Sequence, residues 1–527
     1  MLLGQMAAAM FFSVSNDAAT FDEVGQVASG VAGFEYHNLN FDPDQPPFSR
    51  EWQTLPLRVV HMTIPPNEPA NAIDETGFGR ELLYTMNSDG RHILWLARVQ
   101  AILLSLLFAL AVFGFTRDLF GNGAALIALA LVSLCPNIIA HGRLATTDVA
   151  VSGWLLVTSW MLWRAWRKHH LWYFAAAGAF GLALSSKYTA LFFAPPYALL
   201  ILMAEWSRKE RQWLKRVKWS AVWCATVFGI GLGIIWLVYL SVDPHLRWTH
   251  PNFAAQPSLL KTISENFPVP APYQQGLVLR IAVNQHRLPA FLFGSHYLGG
   301  RTLFYPALLA MKTPLGSLGL WALGLVALGT RRRWSLMGFV LFPPLFFLFV
   351  AIVEQIDIGV RHILMIYFFM PVVAGAVVLI RRRWVPIITI LLILFTGVST
   401  WSDYPSYLAY VNESFGGPNN GYTLVSDSNL DWGQDLYRAE DYLSRQFPHH
   451  QAAVIYFGTA LVDPSVDYFN SANASWSQFG TSTPHIIAIS ASWQVYDPAL
   501  WQRVLTWAGP RPIAQIGHSI LIFRKSP

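Results

Sequence analysis

The chain has 527 residues, 54% of them hydrophobic and only 13% charged, with a net charge of +6 and a mean hydropathy of +0.38. Soluble domains carry about 25% charged residues, so this composition excludes a soluble enzyme and a disordered chain. Cys135 and Cys224 both sit in apolar runs and read as small buried hydrophobes, not as a disulfide framework.

Taken in chain order, the opening MLLGQMAAAMFFSVS is read as a first membrane helix; a signal peptide is disfavoured because no Lys or Arg precedes the apolar stretch. Residues 15–92 follow as an outside loop with 12 acidic and 4 basic residues, a net of −8. From Val24 the apolar positions Val24, Val27, Ala28, Val31 and Phe34 recur at helical spacing. They predict an amphipathic helix lying on the membrane surface, with Thr20 and Glu23 at capping-box spacing. FDPDQPPF (41–48) predicts an extended turn, since residues before proline leave the α region. A second short helix is expected near 79–87.

Ten further spans are predicted near 93–115, 122–140, 149–163, 171–186, 188–205, 219–241, 303–330, 334–353, 363–380 and 384–400, which makes eleven in all. The basic clusters Arg164/Arg167/Lys168, Arg208 to Lys218, Arg331–Arg333 and Arg381–Arg383 all fall on one side of this topology, which the positive-inside trend makes cytoplasmic. The other side receives 15–92, a Pro- and aromatic-rich loop at 242–302, and the tail 401–527. The tail has strand-like runs at 452–457, 485–490 and 518–523 and helix-like 433–446 and 498–507. The expected architecture is therefore a 1–400 membrane domain, all-α and polytopic, with a small extracytoplasmic α/β domain at 401–527.

Ionisable groups at a membrane are expensive and point to function. Asp22 and Glu23 follow the first helix directly, and Asp148 opens another span on the same outer side. Carboxylates there suit general-base work, with helix capping as the alternative; the capping-box spacing favours that role for Glu23. Four cations, Arg143, Lys187, Lys312 and Arg361, lie on the outer side against the positive-inside trend. Beside outer carboxylates they suggest an anionic, lipid-embedded substrate such as a phosphate, with snorkelling to headgroups as the alternative. His141, His286, His296 and His362 read as hydrogen-bonded structure.

In order along the chain, DEVGQVASGVAGFEYHNLNFDPDQPPF (22–48), HGRLATTDVAV (141–151), SSKYTAL (185–191), MKTPLGSL (311–318) and GVRHIL (359–364) resemble the blocks of bacterial phospholipid-carrier-dependent glycosyltransferases. That group belongs to glycosyltransferase family 39, with the protein O-mannosyltransferases, and is similar to the lipid A aminoarabinose transferase. The resemblance implies a GT-C membrane fold in the bacterial cytoplasmic membrane. It also implies a polyprenyl-phosphate sugar donor, a protein, glycan or lipid hydroxyl as acceptor, and inverting transfer of one sugar at the extracytoplasmic face. It marks Asp22 as catalytic base with Glu23 beside it, Asp148 as a second acidic position, and Arg143, Lys187, Lys312 and Arg361 as ligands of the carrier phosphate.

Two departures stand out: Gln26 and Gln45 occupy places where related sequences often have His. No required metal is therefore expected, a divalent ion being the alternative, and no nucleic-acid partner. In the tail block SDSNLDWGQDL (426–436), Asp427, Asn429, Asp431 and Gln434 are read either as acceptor-binding groups or as the makings of a turn and helix start. The competing functions are a flippase for lipid-linked sugars, against which no internal repeat is found, and a membrane-anchored binding or assembly protein acting through the tail.

Overall fold

The computed structural model describes residues 1–39, 41–66, 74–208, 212–248, 267–283, 287–354, 356–447, 452–463 and 485–525. His286, much of the 242–302 loop and part of the basic run from Arg208 lie outside these. The chain is a mostly helical, multi-pass membrane protein with helices at all eleven expected places. The first eleven helices are α1 Leu2–Val14, α2 Phe21–Tyr36, α3 Phe48–Thr54, α4 Glu75–Arg80, α5 Gly90–Phe120, α6 Asn122–Ser133, α7 Pro136–Gly142, α8 Asp148–Arg167, α9 Trp172–Leu184, α10 Ala194–Trp206 and α11 Trp213–Val242. Further apolar helices run over Phe304–Lys312, Leu315–Thr330, Trp334–Val340, Phe342–Val353, Leu364–Gly375 and Val385–Trp401.

Three expected spans are broken. α6 and α7 meet at 62°, Phe304–Lys312 and Leu315–Thr330 at 111°, and Trp334–Val340 and Phe342–Val353 at 50°. A proline sits at each break: Pro136, Pro314 and the pair Pro343–Pro344. Proline lacks the N–H that would continue the helix and clashes with the turn before it. By length and composition, four helices among the described residues can cross a membrane, or seven if each bent pair is one span. α1, α9 and Val385–Trp401 are apolar but shorter.

The basic clusters gather at one end of the bundle, as the charge pattern requires. Arg164 and Lys168 pair with Asp118 near the end of α5 at 2.6 and 2.7 Å, Arg208 donates to the Ala165 carbonyl at 3.1 Å, and Arg331 donates to the Leu379 carbonyl at 3.0 Å.

α2 corrects an expectation. Its capping box is present, but its residues from Glu23 to Gly33 are all buried, so protein and not lipid covers its apolar face. Small residues between the periodic apolar ones let neighbours close in. A side chain at Gly30 would lie 2.5 Å from Thr54 Oγ1 of α3, and one at Gly79 of α4 would lie 2.5 Å from the Val24 carbonyl.

A hairpin of β1 (Pro289–Leu292) and β2 (Ser295–Leu298) stands in the 242–302 region. The tail holds β3 (Ala452–Ile455), β4 (Ile486–Ser490), β5 (Ala514–Ile516) and β6 (Ile520–Arg524) in the order β3-β4-β6-β5. β3 and β4 are parallel and the other pairs antiparallel. Alternate residues of a strand face opposite ways. Ala452, Val454, Ile486 and Ile522 pack against helix Leu436–Gln446, while Ala453, Ile487, Leu521 and Phe523 pack against helix Pro498–Ala508. The sheet is thus covered on both faces. It docks on the segment between α1 and α2: Ala18 joins its core, Arg438 pairs with Asp17 at 2.5 Å, and Arg438 donates to the Ser13 carbonyl at 3.0 Å.

Candidate active site

A cavity of about 220 Å³ opens at the end of the bundle opposite the basic clusters. Asp22, in the first turn of α2, forms one wall together with Gly25 and Gln26. Thr146 and Thr147, at the N-terminus of α8, form another, and Lys187 and Arg361 close the floor. Asp22 is 36% exposed at its side chain and accepts from Arg361. Asp148 binds Lys187 Nζ at 2.6 Å and lies 4.0 Å from Arg361. Two carboxylates and two cations therefore alternate in a chain, Asp22, Arg361, Asp148 and Lys187, that runs from the cavity wall toward the interior.

Behind this floor lies a small recess of about 20 Å³, lined by Val151, Leu155, Phe347 and Met365 and also by Ser152, Thr189 and Glu354. It shares Lys187, Arg361 and His362 with the cavity, while Asp148 lines the recess alone. The cavity thus meets a small recess of mixed lining at its cations. Among the described residues, Arg361 Nε is buried and has no hydrogen-bond partner.

The far wall was not foreseen. Asp42, Asp44, Gln45 and Glu75 line it, with Arg280 from the helix Ala271–Val283. The 41–48 turn is held by Arg50, which donates to the Phe41 and Asp42 carbonyls at 2.9 Å each. Burial, with Asp44 beside it, raises the Asp42 carboxyl well above the usual range. Arg280 reaches Asp44 at 3.8 Å because Gly276, one turn earlier, lets its helix press on the Pro43 carbonyl; a side chain there would lie 1.8 Å away. Gln26 and Gln45, the two departures from the related pattern, both line the cavity, and Gln26 donates to Asp42. Among the described residues, no group of three His, Cys, Asp or Glu side chains is placed to hold a metal ion.

Other expected site residues are used by the fold. Glu23 is fully buried and accepts from Arg98 at 2.6 and 2.8 Å, from Thr20 N at 2.9 Å and from Ala145 N at 2.8 Å. Burial opposes its charge, but Arg98 and these donors outweigh it and hold the carboxyl below its usual range. It is a cap and an anchor, away from the cavity. Glu23→Gln leaves Arg98 buried without its counter-charge, and we expect about 3–5 kcal/mol of lost stability, read as a lowered midpoint of thermal unfolding in detergent.

Arg143 is buried against Asp17 at 2.9 Å, and Lys312 donates to the Leu408 and Asn429 carbonyls at 2.7 and 2.6 Å. Neither lines the cavity, so the expected four-cation phosphate site reduces to Lys187 and Arg361, joined by Arg280 at the far wall.

Of the tail residues, Asn429, Asp431 and Gln434 are buried, whereas Asp427 is half-buried with its charge near Arg361. Asn429 accepts from Val360 N at 2.8 Å, and Asp427 accepts from Tyr496. Asp431 accepts from Ser492 N at 3.0 Å, and burial pushes its carboxyl up to about 7. Gln434 accepts from Trp432 N at 2.8 Å and donates to the Leu430 carbonyl at 3.0 Å. None of the four lines the cavity, which favours the turn-building alternative over acceptor binding.

Several solved structures are similar in outline. ArnT from Cupriavidus metallidurans bound to undecaprenyl phosphate shares 12% identity over 99% of this chain and 97% of its own, with a TM-score of 0.48. The Archaeoglobus fulgidus oligosaccharyltransferase in its apo form shares 12% over 85% and 58%, with a TM-score of 0.44. The S. cerevisiae protein O-mannosyltransferase Pmt1-Pmt2 complex bound to the sugar donor shares 14% over 56% and 38%, with a TM-score of 0.36. No curated protein sequence matches. Residues 90–239, which contain Asp148 and Lys187, match the family model described as dolichyl-phosphate-mannose-protein mannosyltransferase.

Proposed function

We propose that the chain is an inverting membrane glycosyltransferase of the GT-C type, moving one sugar from a polyprenyl-phosphate carrier to a hydroxyl acceptor. The observation that carries this reading is the polar cavity in which the partly exposed Asp22 faces the cations Lys187 and Arg361. The carrier's phosphate suits the two cations and its sugar the cavity, while the recess of about 20 Å³ behind the cations is too small for an isoprenoid chain. The family-model match over 90–239 supports the same reading.

In this mechanism the donor phosphate takes over the guanidinium donors of Arg361 and releases Asp22. Asp22 then accepts the proton of the acceptor hydroxyl. The hydroxyl oxygen forms a bond to the anomeric carbon as the bond from that carbon to the phosphate oxygen breaks. The leaving phosphate keeps the electron pair, and its charge is stabilised by Lys187 and Arg361. A single displacement inverts the anomeric configuration. With the basic clusters cytoplasmic, the cavity opens on the extracytoplasmic side of the bacterial inner membrane.

Mass spectrometry of envelope proteins, glycans and lipids with and without the gene tests this reading. Loss of a single sugar from one acceptor class, restored by the wild-type gene and not by Asp22→Asn, is the expected result. An unchanged glycan inventory with lipid-linked sugar accumulating on the cytoplasmic side would favour a flippase instead.

A further inference from the structure

The block SDSNLDWGQDL is left without a role by the mechanism above, since its polar side chains do not reach the cavity. Its geometry nevertheless bears on both reacting partners. Arg361 sits on a short 3-10 turn, Val360–Ile363. That turn is gripped from behind: Val360 N donates to Asn429 Oδ1 at 2.8 Å, and the Ile358 carbonyl accepts from Ser428 Oγ at 3.1 Å and from Asn429 Nδ2 at 3.2 Å. Gly359 leaves the room for this grip, since a side chain there would lie 2.1 Å from Ser428 Oγ. The Arg361 guanidinium then lies over the Trp432 ring, 4.3 Å from its centre.

The same tryptophan holds the other partner. Its carbonyl accepts from Phe21 N at 2.9 Å, one residue before Asp22, and the Gln434 carbonyl accepts from Ala18 N at 2.8 Å. The segment is itself pinned on two sides, by Lys312 on the Asn429 carbonyl and by Ser492 on Asp431. Trp432 is 2% exposed, so its ring is desolvated where it meets the cation.

We propose that segment 426–434 is a positioning element of the transfer site, in which Trp432 seats Arg361 and, through its backbone, sets the place of Asp22. The inference rests on the functional reading above. Stacking a planar guanidinium by its face leaves its N–H edge free for a carboxylate or phosphate, which an ion pair at the same place would not. The tail block is then part of the chemistry without touching substrate, and Trp432 is a positioning residue.

The test uses the full-length protein in nanodiscs and measures binding of undecaprenyl phosphate, with the thermal unfolding midpoint recorded for each variant. Trp432→Leu is expected to weaken binding about tenfold and Trp432→Phe about threefold, because indole holds a cation better than benzene does. In an Arg361→Ala background neither change is expected to weaken binding further, since their effect passes through that side chain. Should Trp432→Leu fail to fold, Trp432→Phe carries the same comparison. Unchanged affinity in the folded single variants, or a loss that persists in the Arg361→Ala background, would overturn the inference. A wild-type protein that binds no undecaprenyl phosphate would instead overturn the functional reading on which it rests.

Discussion

Asp22→Asn lowers the turnover number about 10²–10⁴-fold, the range that a positioned general base contributes, while the protein folds and still binds its donor. The geometry predicts this division. Asp22 is partly exposed and spends its charge on Arg361 alone among the described residues. Asparagine keeps its shape but neither accepts the proton nor competes for the guanidinium. Donor affinity is therefore expected to stay at the wild-type level or rise. Steady-state rates with a radiolabelled polyprenyl-phosphate sugar, together with equilibrium binding of the carrier phosphate, separate the two effects. Wild-type turnover in a folded Asp22→Asn protein rules out this residue as the base.

Arg361→Ala has the opposite profile. It removes charge-assisted hydrogen bonds to the phosphate, each worth about 1.5–3 kcal/mol, so carrier binding weakens about ten- to a hundredfold. It also releases Asp22 and leaves Asp148 to Lys187 alone. Lys187→Ala acts in the same direction, whereas Arg143 and Lys312 do not touch the cavity: their partners are Asp17 and backbone carbonyls. Equal affinity for undecaprenyl phosphate in wild type and Arg361→Ala, with both folded, sinks the assignment of the phosphate to this end of the cavity.

The contrast among these four cations explains what a sequence can and cannot reveal here. All four carry the same signal, a positive charge on the side of the membrane where the charge rule disfavours it. That signal reports that something must neutralise or solvate the charge; it does not say whether that partner is a ligand, a carboxylate or a carbonyl. Lys187 and Arg361 meet the cavity, whereas Lys312 holds the tail against the membrane helices and Arg143 pairs with Asp17 between α1 and α2. Glu23 was legible as a cap because its spacing from Thr20 has a local geometric meaning.

The far wall was illegible for the converse reason. Asp42, Asp44 and Glu75 lie in an acidic polar loop, where carboxylates are unremarkable until folding buries them beside a cavity. The span breaks were visible as Pro136, Pro314, Pro343 and Pro344, but hydropathy alone runs straight across them. The burial of α2 was announced by Gly25, Gly30 and Gly33, since small residues between periodic apolar ones permit close approach on a second face. β3, β4 and β6 lie in the expected apolar runs, but β5 (Ala514–Ile516) was not expected and the strand order required the paired backbone.

The central claim is that one cavity joins a carrier phosphate to an acceptor hydroxyl and breaks the sugar–phosphate bond between them. The measurement that bears on it most directly follows both products at once. Purified protein in nanodiscs receives a polyprenyl-phosphate sugar labelled in the sugar, together with an extract of the cell envelope as acceptor. Free polyprenyl phosphate and labelled acceptor are expected in equal amounts, with the anomeric configuration inverted. Intact donor recovered from a panel of sugars, or donor that only changes leaflet, would contradict it.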